Sequence, residues 1–99
     1  MVRGSVPQVC LSIHTENYIY GTARNPLRYD RSCGGSSGGD AGLVAARCVP
    51  IGIGTDVGGS LRFPAYFTGI YGMCPSTYRL SKRGLATARR IRFKAPSGL

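Results

Sequence analysis

Apolar residues fall along the chain in short runs, and the first of these sets no lasting period. From Val6 to Cys33 ("VPQVCLSIHTENYIYGTARNPLRYDRSC") aromatics, Pro and Asn are scattered without a sustained repeat of 2 or 3.6, which predicts connected loops with a short strand near Val9 to Ile13. The pattern changes around Asp40, where a glycine cluster gives way to "AGLVAARC". Leu43, Val44, Ala46 and Arg47 suit a short helix with an apolar face, ended by Cys48-Val49-Pro50. "PIGIGTD" then alternates Ile51, Gly52, Ile53 and Gly54 before turning polar, as a short buried strand with close backbone neighbours does. The following "VGGSLRFPAYFTGIYG" predicts a helix from about Ser60 to Thr68. Pro64 fits only its first turn, where a missing N–H costs nothing, so the helix starts at or near Ser60 to Phe63. "IYGMCPSTYRLSKRG" reads as a strand followed by a polar loop, and "LATARRIRFKAPSGL" is too basic and too short of apolar pairs to pack.

Composition sharpens this picture at one place. Glycine is 15 of 99 residues, and nine of the fifteen lie between Gly34 and Gly59, a local demand for unusual backbone rather than a general bias. A flexible linker would not continue into "LVAA" and "IGIG". The net charge of +9 is also uneven: residues 1–60 hold five Arg against four Asp or Glu, and residues 61–99 hold eight Lys or Arg and no acid. Such a segment attracts phosphates and anionic membranes, unless the acids that balance it lie on chain beyond this segment. Cys10, Cys33, Cys48 and Cys74 include no C-x-x-C pair that would suggest zinc or a redox dithiol, and read as free thiols of an intracellular protein. No signal peptide opens the chain and no run of about 18 apolar residues could span a membrane.

The glycine cluster carries candidate chemistry. "CGGSSGGD" matches the nucleophile elbow G-x-S-x-G twice, at Gly34–Gly38 and Gly35–Gly39. The elbow also needs a strand before it and an acid and then a His after it. "LRYDRS" is a poor strand, and the single histidine, His14, precedes every candidate serine and reads as a surface or turn residue, so Ser-His-Asp chemistry is disfavoured. Phosphate loops fail too, since neither G-x-G-x-x-G nor G-x-x-x-x-G-K-[ST] occurs. "TDVGGSLR", Thr55 to Arg62, is a better site. There Ser60 stands at the start of the predicted helix, where unpaired N–H groups and the helix dipole can hold an oxyanion beside the serine oxygen.

Taken together, "GGSSGG" and, 24 positions after its first serine, the serine of "GTDVGGSLRFPAYFTGIYG" resemble the two-serine core of the amidase signature enzymes. "NPLRYDRSCGGSSGG", "GTDVGGSLRFP" and "YRLSKRGL" are most similar to the animal fatty-acid amide hydrolases, and the likeness runs from about Val6 to Leu85. The resemblance implies an α/β fold with a mixed β-sheet covered by helices, incomplete in this chain: residues 1–85 would be a partial domain and 86–99 a basic tail that departs from the family. It implies amide hydrolysis through an acyl-enzyme by a Ser-Ser-Lys triad, with no cofactor or metal. Ser60 would be the nucleophile. Ser36, on a cis peptide bond after Gly35, would relay protons, and the N–H groups of Val57, Gly58, Gly59 and Ser60 would form the oxyanion hole. Ser37 would tie the lysine or neighbouring backbone in place, and Asp56 with Arg62 would support the loop.

Two departures accompany the likeness. The family's catalytic lysine lies well upstream of the first serine, none of the 35 residues before Ser36 is Lys, and Lys82 and Lys94 follow the motif, so the chain reads as an internal piece of a longer enzyme, inactive alone. Cys74-Pro75-Ser76 stands where the family has Lys-Pro-Thr. A lipid amide substrate and a parent enzyme at an internal membrane rest on the resemblance alone. A general amidase or a tRNA-dependent amidotransferase subunit shares the same core. A small basic nucleic-acid-binding module built on Arg79 to Lys94 with Tyr71 and Tyr78 is the competing class, and it leaves both serine motifs unexplained.

Overall fold

Two asparagines shape the first third of the chain by capping tight turns with their own side chains. The computed structural model describes residues 2–81 and 83–85. Asn17 Oδ1 accepts from the N–H groups of Ile19 and Tyr20, closing a hairpin between β1 (Glu16–Asn17) and β2 (Gly21–Thr22). Asn25 Oδ1 accepts from Leu27 N–H and closes a second hairpin between β3 (Arg24–Asn25) and β4 (Arg28–Ser32). Such Asx turns are why Asn dominates at these positions. Both pairs are antiparallel, with Glu16 opposite Thr22 in one and Arg24 opposite Ser32 in the other. Backbone bonds from Ala23 N to Thr15 O, Cys33 N to Ala23 O and Thr15 N to Gly34 O stitch the hairpins side by side and deliver the chain to the glycine cluster.

Two helices follow, α1 (Gly38–Ala45) and α2 (Arg62–Thr68), packed on each other. The chain is thus mixed α/β, as expected, and its described strands form two small antiparallel sheets. Helix α1 starts earlier than its apolar pattern predicts, because Gly38 and Gly39 are helical despite their low propensity. Close packing demands them there: a Cβ on Gly38 would strike the Thr15 side chain, and one on Gly39 the Ser5 backbone. The helix also stops before the expected Cys48-Val49-Pro50. Arg47 takes a left-handed φ of 60°, and Cys48 N to Leu43 O with Arg47 N to Val44 O form a Schellman cap. Helix α2 keeps the expected span, with Pro64 in its first turn and Gly69 (φ 69°) closing it.

Four strand expectations change. "LRYDRS", a poor strand by its polar composition, forms β4, the longest strand among the described residues, because its backbone pairs across the Asn25 turn, and the extended run at "IYGM" pairs with no strand there. In place of a strand near Val9 to Ile13 there is a single 3-10 turn, Gln8–Cys10, set up by Pro7, whose carbonyl accepts from Cys10 N–H. The "IGIG" run alternates in direction as a strand does, but it is not buried, and no strand pairs with it among the described residues. A Cβ on Gly52 would touch Asp40 and Val44, one on Gly54 would strike Ser37, and one on Gly72 would strike Ala65. The glycines therefore face the helices, while Ile51, Ile53, Tyr71 and Met73 point outward and are largely exposed. The expectation of burial failed because the glycine face, not the isoleucine face, meets the helices within this chain.

The buried apolar side chains are correspondingly few and small: Pro7, Cys33, Ala41, Pro64 and Ala65 among the described residues. So small a core cannot offset the entropy of ordering a domain. The isolated 99-residue chain is expected to bind a hydrophobic dye and to melt without a cooperative transition; a sharp two-state melt with no dye binding would contradict this reading.

Candidate active site

The turn from Gly34 to Gly38 is held from three sides. Gly34 has a left-handed φ of 81° and is pressed by the Phe67 ring, which would lie 2.8 Å from an added Cβ. Gly35 lies under the backbone of the Ser12–His14 segment, with His14 N and Ser12 O each 2.8 Å from where a Cβ would sit. The Gly35–Ser36 peptide bond is cis. Ser36 and Ser37 are both buried, 1% and 6% exposed.

Ser37 connects the two serine motifs. Its N–H donates to the Ser60 carbonyl at 3.0 Å. Its hydroxyl accepts from Thr55 N–H at 3.2 Å and donates to Thr55 O at 3.4 Å, so Ser37 ties neighbouring backbone on the strand-like run that leads to Asp56. The Ser60 carbonyl is open to Ser37 for a reason written in the sequence. In an α-helical turn it would accept from residue 64, four positions on, but that residue is Pro64 and has no N–H. The bonds on either side, Phe63 N to Gly59 O and Ala65 N to Leu61 O, are made normally.

Asp56 organises the loop that carries Ser60. Its Oδ1 accepts from Gly59 N–H at 2.6 Å and its Oδ2 from the N–H groups of Leu61 and Arg62, each at 3.2 Å. Arg62 closes the arrangement with a two-pronged contact, Nε to Oδ2 and Nη2 to Oδ1, each at 3.0 Å. The carboxylate is almost fully covered, 3% exposed, whereas the Arg62 side chain is 60% exposed. The Arg62 guanidinium, followed by the loop N–H groups, holds the Asp56 carboxyl well below the usual carboxylate range, against the opposing effect of burial.

This geometry sorts the four candidate oxyanion donors. Gly59 N–H is taken by Asp56, and its φ of 120° requires glycine. Among the described residues the N–H groups of Val57, Gly58 and Ser60 have no partner, and the space where a Gly58 Cβ would stand is open. Three of the four candidate N–H groups are thus left unpaired in the stretch before α2, where Ser60 itself is half-buried. The His14 imidazole lies 3.3 Å from Glu16. The basic stretch considered for nucleic acid lies mostly outside the described residues, as does the tail from residue 86.

One residue at this site has no pattern in the sequence. Thr15, 0% exposed, donates its hydroxyl to Ser36 O at 3.3 Å and accepts from Gly38 N–H at 3.1 Å. A single threonine in an aperiodic stretch carries no signal of such a role.

The amidase family model matches residues 1–95. The chain belongs to the amidase family. It is 51% identical over 80 residues to the fatty acid amide hydrolase 1 of Caenorhabditis elegans, covering 81% of this chain and 14% of that protein. It is similarly 47% identical over 88 residues to an acetamidase of Aspergillus oryzae (89% of this chain, 16% of the relative) and 53% identical over 78 residues to amidase 1 of Arabidopsis thaliana (79% and 18%). The chain therefore spans less than a fifth of the length of these amidase relatives.

Two predictions apply to a full-length protein in which this segment is joined to the flanking portions of the C. elegans relative. Pro64→Ala supplies an N–H that competes for Ser60 O; at about 0.5–1.5 kcal/mol for the weakened bond, Ser37 amide exchange should quicken about 2- to 10-fold by hydrogen-exchange mass spectrometry or NMR. Unchanged exchange would mean that Pro64 does not keep the carbonyl free. The second concerns Asp56, whose pKa is lowered on folding, so its ionised form stabilises the fold above the unfolded value of about 3.9 and that contribution is lost as pH falls toward the folded value. The stability difference between wild type and Asp56→Asn, read by denaturant titration, should stay constant from pH 7 to about 5 and shrink below about 4. A difference that grows on acidification would reverse the assignment.

Proposed function

We propose that the chain is the serine-bearing part of an amide hydrolase, with Ser60 as nucleophile and Ser36 as proton relay. The Ser60 oxygen attacks the amide carbonyl while its proton passes to Ser36, and the Ser36 proton passes to a neutral lysine upstream of the segment. The tetrahedral oxyanion is held by the N–H groups of Val57, Gly58 and Ser60. Return of the proton through Ser36 to the leaving nitrogen breaks the C–N bond and leaves an acyl ester on Ser60, which water then hydrolyses with the same groups acting in turn.

What supports this reading is the hydrogen bond from Ser37 N–H to Ser60 O, which brings together residues 23 positions apart in sequence. Membership of the amidase family supports the reaction class. The finer reading is that fatty-acid amides are the substrates, with a parent enzyme at an internal membrane. Its support is the likeness to fatty acid amide hydrolases of C. elegans and Sus scrofa, at 51% and 48% identity. No helix among the described residues is long and apolar enough to cross a membrane.

In the joined full-length protein, a fluorophosphonate probe should label Ser60, and Ser60→Ala should abolish both labelling and turnover. Labelling of Ser36 in place of Ser60 would mean that the nucleophile is misassigned. Exchanging the segment into the A. oryzae acetamidase as well, and measuring oleamide against acetamide hydrolysis in both hosts, tests the finer reading: a shift toward oleamide in each host supports it, and a preference that follows the host alone removes it.

A further inference from the structure

We propose that Thr15 is a positioning residue that sets the orientation of Ser36, an inference that rests on the relay role given to Ser36 above. Three bonds from this one residue span the whole glycine turn. Its backbone N–H donates to Gly34 O at 3.1 Å, its hydroxyl donates to Ser36 O at 3.3 Å, and the same oxygen accepts from Gly38 N–H at 3.1 Å. Its own carbonyl accepts from Ala23 N–H at 2.9 Å, which anchors the threonine to the hairpin layer. Thr15 is 0% exposed, and the absence of a side chain at Gly38 lets its hydroxyl approach, because a Cβ there would collide with it.

The consequence for Ser36 follows from backbone geometry. The direction of the Ser36 side chain is fixed by the two peptide planes that meet at its Cα. Thr15 holds the carbonyl of the plane on the C-terminal side, and through Gly34 it holds the start of the turn on the other. A relay oxygen must lie within hydrogen-bond reach of both the nucleophile and the base, about 2.6–3.2 Å, so a modest tilt of the carbonyl takes it out of range of one. Since Thr15 is sealed from solvent, it cannot touch substrate, and its effect should fall on kcat and leave KM unchanged.

The test uses the joined full-length protein with oleamide. Thr15→Val keeps the shape and removes both side-chain hydrogen bonds; kcat should fall about 10- to 100-fold with KM within about twofold, and Thr15→Ser should restore wild-type kcat. In a Ser36→Ala background, Thr15→Val should cause no further loss, because its route of action is gone. A full additional loss in that background, or a wild-type kcat for Thr15→Val, overturns the proposal. Should Thr15→Val not fold, Thr15→Ala takes its place; if neither folds while Thr15→Ser works normally, the residue is structural only and the proposal is also overturned. Failure of the underlying reading looks different: turnover would survive Ser60→Ala, or Ser36→Ala would leave kcat unchanged.

Discussion

The hydrogen bond between the Ser37 amide and the Ser60 carbonyl is the contact on which the rest of the site depends. It is a backbone bond, so it fixes two chain segments and not merely two side chains. On one side it holds the N-cap of α1, and on the other it holds the residue two positions before α2. The bond exists because Pro64 withholds the N–H that would otherwise claim the Ser60 carbonyl. A helix-breaking residue in the first turn of α2 thus has a tertiary use: it exports an acceptor from one helix start to the other.

Around this bond the frame is knit from polar contacts. Asp56 gathers three loop N–H groups and the Arg62 guanidinium, so the loop before α2 is shaped by one carboxylate. Thr15 spans the Gly34–Gly38 turn in the same manner from the hairpin side. In each case a short side chain satisfies backbone groups that the turns leave unpaired, which is what buried irregular chain requires. The glycines complete the frame by letting neighbours approach, Gly38 toward Thr15, Gly54 toward Ser37 and Gly34 toward Phe67.

Much of this was legible in the sequence where the signal is local. Pro64 located the start of α2, the density of glycine marked the serine turn as structured, and the paired serine motifs identified the family. What escaped was non-local. The early start of α1 depends on Thr15 and Ser5, which lie more than 20 residues upstream and admit helical glycines that propensity alone disfavours. The end of α1 depends on a left-handed Arg47, which no preference for glycine at that position would suggest. The "IGIG" run was read correctly as alternating, but alternation gives two faces without saying which one meets the helices.

That last point bears on how the site is held in place. The glycine faces of the two strand-like runs rest on α1 and α2, so the outward isoleucines, Tyr71 and Met73 form an apolar surface on the far side. With only a few small apolar side chains buried among the described residues, hydrophobic stabilisation within this segment is slight, and the polar frame alone gives little net free energy because its bonds replace bonds to water. Local geometry and global stability therefore have different sources: the serine turn, the Asp56 loop and their connecting bond specify the site, while covering the Ile51, Ile53, Tyr71 and Met73 face would supply the burial that holds it rigid.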